Sequence, residues 1–93
     1  MKYKLVIKEE AADEISEAFT WYEDQKMGLG SALIDVLEDY LDLIQTNPQL
    51  YQIRSGTERA AVIRKFPYKI IYRIEGNTVV VFSVFHTSRK PKE

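Results

Sequence analysis

From Ala11 onward apolar residues return at helical spacing: Ala11, Ile15, Phe19 and Tyr22, with Ala12 and Ala18 beside them. That spacing predicts an amphipathic helix. Glu9, Glu10, Asp13 and Glu14 stand at its start, where negative charge suits the positive end of the helix dipole. Lys26-Met27-Gly28-Leu29 reads as its stop, with Gly28 free to take positive φ, and Ser31 as the N-cap of a second helix. In that second helix Leu33, Val36, Leu37, Tyr40, Leu41 and Ile44 form an apolar stripe. Asp35, Glu38, Asp39 and Asp42 form an acidic one, read either as a solvated face or as a docking surface for a basic partner. Asn47-Pro48 closes the helix, because proline disfavours helical geometry in the residue before it.

Elsewhere the period is two. Residues 3–8 predict an opening strand and Leu50–Arg54 a short one, followed by a Ser55-Gly56-Thr57 turn. Arg59–Lys65, Tyr68–Glu75 and Thr78–His86 predict three consecutive strands, joined at Phe66-Pro67 and at the two-residue hairpin turn Gly76-Asn77. The expected fold is α+β: an antiparallel sheet backed by an N-terminal helical hairpin, as a single domain over residues 1–93.

Treating both breaks as two-residue turns sets Arg73 opposite Val80, Lys69 opposite Val84, Arg64 opposite Lys69 and Val62 opposite Ile71. Alternation then sorts the side chains onto two faces. Ala61, Ile63, Tyr68, Ile70, Tyr72, Ile74, Val79, Val81 and Phe85 make the better core, against which both helices are expected to pack. The other face collects Ala60, Val62, Arg64, Lys69, Ile71, Arg73, Val80, Phe82, Val84 and His86. A face that mixes cations with exposed aliphatics points to an interface.

Charge sharpens this picture. Residues 1–47 hold eleven Asp/Glu against four Lys/Arg, and residues 48–93 three against nine, so a net charge of −1 conceals halves of −7 and +6. A negative helical surface and a positive sheet follow, and the positive sheet points to an anionic partner, nucleic acid or acidic protein. Cysteine is absent and there is one histidine, so neither a disulfide framework nor a thiolate or His-rich metal site is expected. No cofactor is expected. Apolar runs fall short of the ~20 residues of a membrane span, and no signal peptide is read at the start, so no membrane partner and a cytoplasmic location are expected.

His86 is the candidate proton acceptor, with Lys69 and Arg73 beside it to stabilise a phosphate transition state, the minimum for RNA cleavage by its own 2′-hydroxyl. The alternative is a strand-end histidine bonded to the backbone. Arg64, Lys69, Arg73 and Arg89 could hold phosphates or the carboxylates of a partner, or form a solvated surface. Tyr68 and Tyr72 read as core, and Trp21-Tyr22 as core plus an interface tip. There is no phosphate loop, no Ser/His/Asp set and no glycosidase-like carboxylate pair.

Several strings, in order, resemble the RelE/ParE toxin superfamily of type II toxin–antitoxin modules. Phe19-Thr20-Trp21-Tyr22-Glu23 followed by Gly28-Leu29-Gly30 resembles its "WY(E)…GLG" segment, and Asn47-Pro48 its usual close of helix two. Arg64-Lys65-Phe66-Pro67-Tyr68-Lys69-Ile70-Ile71-Tyr72-Arg73 is similar to its "R-FPY-I-YR" strand pair. Val84-Phe85-His86 followed by Arg89-Lys90-Pro91 resembles the ending of ParE-like members.

The resemblance implies a toxin whose basic groove is covered by the C-terminal segment of a cognate antitoxin, in a complex that can be oligomeric. It implies one of two targets. ParE-like members bind and poison DNA gyrase without catalytic turnover, and the ending here matches theirs. RelE-like members cut mRNA on the ribosome with basic sheet residues and a C-terminal aromatic. Two of those basic positions are Ala60 and Val62 here, Lys69 is kept, and no tyrosine follows His86. The expected function is ParE-like gyrase inhibition. The alternatives are an mRNA endonuclease with His86 and Lys69 as catalytic residues and Arg64, Arg73, Arg89 and Lys90 as binding residues, or a degenerate member that only binds an antitoxin.

Overall fold

Two helices and five strands carry the pattern in the structure, a computed structural model that describes residues 2–88. The order is β1 (Lys4–Ile7), α1 (Glu9–Gln25), α2 (Leu29–Thr46), a 3-10 turn at Pro48–Leu50, β2 (Ile53–Ser55), β3 (Glu58–Val62), β4 (Tyr68–Glu75) and β5 (Thr78–His86). The strands form one sheet in the order β1-β5-β4-β3-β2. The architecture is α+β, as expected, but the sheet is mixed rather than wholly antiparallel. The chain leaves β1 for the helices and returns at the far edge, which leaves β1 parallel to β5, while the remaining pairs are antiparallel.

Both helices cover one face. Ala11 and Ala18 of α1, and Leu33, Val36, Leu37 and Ile44 of α2, close over Ala61, Ile70, Tyr72, Val79, Val81 and Val84. Small residues in α1 let it lie close to the strands, while the branched residues of α2 fill the volume between. Tyr72 is fully buried, and its hydroxyl donates to the Pro48 carbonyl at 2.6 Å, tying the end of α2 to the middle of the sheet.

The helical hairpin departs from expectation at its turn. Gly28 takes the positive φ predicted for it, 88°, but it is the N-cap of α2, which begins at Leu29. Ser31 is not the cap; it lies exposed within the first turn. The amides at this helix start are satisfied from the preceding helix instead. The Glu23 carboxylate accepts the Gly28 and Gly30 N–H groups at 2.9 Å each. A carboxylate there also meets the positive end of the α2 dipole. Gly30 is required for space, since an added Cβ would lie 2.7 Å from the Phe19 carbonyl oxygen.

In the sheet, β3 stops at Val62 rather than Lys65. Lys65 has φ of 73° inside a wide turn, and Val62 pairs with Lys69, not Ile71. This shift of two residues keeps every β3 side chain on its expected face. The short strand expected at residues 50–54 starts later, at Ile53, because Pro48 opens the 3-10 turn first.

Candidate partner-binding face

The decisive feature is a β-bulge in the β4–β5 hairpin. From the Gly76-Asn77 turn the pairs run as expected through Arg73↔Val80 and Tyr72↔Val81; then Ile71 pairs with Ser83, leaving Phe82 as an extra residue. Beyond that point β5 is one residue out of the expected register, and a slip of one exchanges the two faces. Lys69 therefore stands opposite Phe85, not Val84, and Tyr68 stands opposite His86. Val84 is buried in the core at 2% exposure opposite Ile70, where uninterrupted pairing would set Ser83, and His86 stands in the place expected for Phe85.

Four side chains expected on the bare face thus divide. Lys69 and Arg73 are there, each over a ring: the Lys69 Nζ lies 5.4 Å from the Phe85 centroid and the Arg73 Cζ 4.6 Å from that of Phe82. Arg73 also donates to Glu75 at 2.5 Å. Cation–π contacts of this kind hold a long side chain against the sheet and keep its charge available to a partner. Arg64 has left the strand and turned to α2, 3.7 Å from an Asp39 oxygen and 5.8 Å from the Tyr40 ring centroid.

His86 is on the helix side. Its ring meets Tyr68 edge-on at 5.0 Å, in an aromatic series continued by Tyr68 with Tyr22 and by Tyr22 with Phe66 and Trp21. Its Nδ1 accepts the Ser88 amide at 3.2 Å, the backbone-bonded arrangement weighed as the alternative to a catalytic base. Lys69 and Arg73 project from the opposite side of the sheet, so these two residues are not the neighbours of His86 that the expected register made them. Arg89 and Lys90 lie outside the described residues.

The bare face is also less positive than the charge of the second half suggests. Register puts Lys4, Lys69 and Arg73 on it together with Glu58 and Glu75. Among them lie Ile71, Val6 and Val62, the last 58% exposed. A shallow cleft of about 550 Å³ crosses its middle, floored by Ile71, Phe82 and Ser83 and rimmed by Lys8, Glu9, Glu10 and Glu58. Such a surface suits a polypeptide that offers both apolar and charged groups better than it suits a uniformly anionic strand. Among the described residues no group of three or more His, Cys, Asp or Glu side chains is placed to hold a metal. No helix among them is long and apolar enough to cross a membrane.

Glu14 and Glu23 act in ways the sequence alone does not suggest. Glu23 belongs to the "WY(E)…GLG" string, and its capping of α2 is a physical reason for that spacing. Glu14 reads as one more negative charge near a helix start, yet its Oε1 accepts the Ser83 hydroxyl at 2.8 Å and the Val84 amide at 2.9 Å. No local pattern marks it, because its partners are 69 and 70 residues away.

Comparison with known proteins gives a consistent result. The family model for the ParE toxin of the type II toxin–antitoxin system, parDE, matches residues 5–91. No curated protein sequence matches the chain. A chain of the chromosomal ParDE toxin–antitoxin system of P. aeruginosa superposes with a TM-score of 0.82 at 10% identity, covering 94% of this chain and 98% of that one. A chain of the intact E. coli RelBE toxin–antitoxin complex gives 0.73 at 22% identity, covering 94% and 99%. The isolated E. coli RelE toxin gives 0.72 at 22% identity, covering 95% and 87%. At these identities the structural likeness speaks to the fold alone.

Proposed function

Because the chain belongs to the ParE toxin family of type II toxin–antitoxin systems, we propose that it is a ParE-like inhibitor of DNA gyrase that acts by binding and is neutralised by a cognate antitoxin. The observation that carries this reading is the bulge at Phe82. It sends His86 to the helix side, while Lys69 and Arg73 stay on the bare face. General acid–base cleavage of RNA needs a proton acceptor and cationic groups within reach of one scissile phosphate. A binding poison needs only a surface, and the face carrying Lys69, Arg73, Phe82 and Phe85 provides one with charged and apolar groups interleaved.

The antitoxin is the second partner. A bare sheet face with half-exposed aromatics and aliphatics is the type of surface that a flexible segment covers by folding on it. Charges of both signs on it match a partner of mixed charge.

Purified protein is expected to block supercoiling by gyrase in vitro, and addition of the antitoxin to restore it. Supercoiling that proceeds normally with the protein in large excess would overturn the proposal. Position-specific mRNA cuts on expression in cells would then indicate the endonuclease. Harmless expression without the antitoxin would indicate a member that has kept only antitoxin binding.

A further inference from the structure

The cleft on the bare face is negative, although the sheet is built from the positive half of the chain. Three carboxylates, Glu9, Glu10 and Glu58, line it against one cation, Lys8. The ion pairs among the described residues are Lys2–Asp42, Arg64–Asp39 and Arg73–Glu75, so no cation of the chain itself is paired with these three. Arg73 stands beside Glu58 in the register, one step on from Arg59↔Tyr72, but it turns to Glu75 and to the Phe82 ring instead.

These carboxylates stand at the two ends of the cleft rather than in one cluster. Glu9 and Glu10 follow β1, Glu58 begins β3, and the sheet order sets β5 and β4 between them. Three strand spacings of ~4.8 Å put the ends roughly 14 Å apart. Between them Ala60, Ile71 and Ser83 form one row across the strands, low and partly apolar, with Phe82 alongside. That layout restricts what can lie there. The backbone groups of the strands are bonded to one another, so a segment that crosses the face must satisfy its own, as a helix does. Roughly 14 Å of helix is about nine residues at ~1.5 Å each. Positions about seven or eleven residues apart return to one side of a helix and bracket that length.

We propose that the cleft seats an amphipathic helix of the antitoxin, apolar where it crosses Ile71 and Phe82 and carrying a Lys or Arg at each end, one for Glu58 and one for Glu9 and Glu10. The charge of the second half of the chain points to an anionic partner. The carboxylates assign the opposite sign to the part of the partner that lies in the cleft, and Lys69, outside the cleft beside Phe85, is left for an acidic group elsewhere on it. That the helix belongs to an antitoxin rests on the function proposed above, whereas the charge and span of the cleft do not.

The test is calorimetric titration of the full chain with its cognate antitoxin. Glu58→Lys and Glu10→Lys are each expected to weaken binding about tenfold, and the two together about a hundredfold, because the sites are far enough apart to act independently. Asp13→Lys makes the same change of charge at an exposed position of α1 outside the cleft and is expected to stay within about twofold of the parent. A positive charge in the first turn of α1 opposes its dipole, so Glu10→Gln, expected to weaken binding about threefold, replaces Glu10→Lys if that chain does not fold. Binding by the cleft variants as tight as the parent's, or tighter, would overturn the proposal, and so would an equal loss with Asp13→Lys; tight binding by the parent would still support the toxin assignment. An antitoxin that does not bind the parent would overturn that assignment and the helix with it. NMR of labelled antitoxin in the complex reads the form of the segment, and an extended stretch over Ile71 and Phe82 would also overturn the proposal.

Discussion

The Tyr72 hydroxyl shows how much one buried polar atom can hold. It joins Pro48 to the sheet, and burial pushes its pKa up to about 12, against some relief from the nearby Arg59 charge. The unfolded phenol ionises near 10. Between pH 10 and 12 the unfolded chain therefore loses this proton while the folded chain keeps it, and the contribution of Tyr72 to stability, complete below pH 10, is lost as pH rises through that window. Tyr72→Phe is expected to cost about 1–3 kcal/mol at neutral pH, by leaving the Pro48 carbonyl unpaired, and to lose less of what remains between pH 10 and 12. Urea unfolding at pH 7 and pH 11 measures both. Gly30 gives a second residue-scale expectation. Its added Cβ would meet a backbone oxygen that cannot move aside, so Gly30→Ala is expected to destabilise by about 1–3 kcal/mol in the same assay. The sequence made the positive φ of Gly28 legible through the stop it follows. It could not reveal the demand on Gly30, which arises from the approach of a second helix.

At the scale of elements, periodicity located both helices and the three main strands, because each buries one face and so must repeat with its own geometry. The bulge is where simple alternation misleads. In the run Val79–Phe85 only Ser83 is polar, and uninterrupted alternation sets it on the core face opposite Ile70, whereas the extra residue at Phe82 puts Val84 there instead. A shift of two residues at the β3–β4 turn leaves the faces unchanged, while the single extra residue in β5 moves Val84, Phe85 and His86 together. A pair of truncations tests this. Val84→Ala is expected to cost about 2 kcal/mol, as removal of a core side chain does. Phe85→Ala is expected to cost less, despite deleting a larger group, because Phe85 lies half-exposed on the bare face. The reverse order of the two unfolding midpoints would restore the uninterrupted register.

For the whole molecule, the sorting of charge along the chain was legible but its placement in space was not. Arg64 folds back to Asp39, and Glu58 and Glu75 fall among the cations of the bare face. Of the residues expected to act together, Lys69 and Arg73 are the two that share a surface among those described. Poisoning by contact and cleavage of RNA therefore make different demands on three substitutions. Lys69→Glu and Arg73→Gln change charges at the partner-binding face without touching the core. Each is expected to raise the concentration needed for half inhibition of gyrase by about tenfold, equivalent to ~1.4 kcal/mol of lost interfacial pairing. His86→Gln alters a side chain on the far side of the sheet and is expected to leave inhibition within about twofold of the parent, since surface changes away from a binding face carry small energies. A nuclease would show the opposite order, with His86→Gln the most damaging of the three. Supercoiling titrations and transcript integrity, followed in parallel for the three variants, separate the two outcomes because the bulge has put the residues on different sides of the sheet.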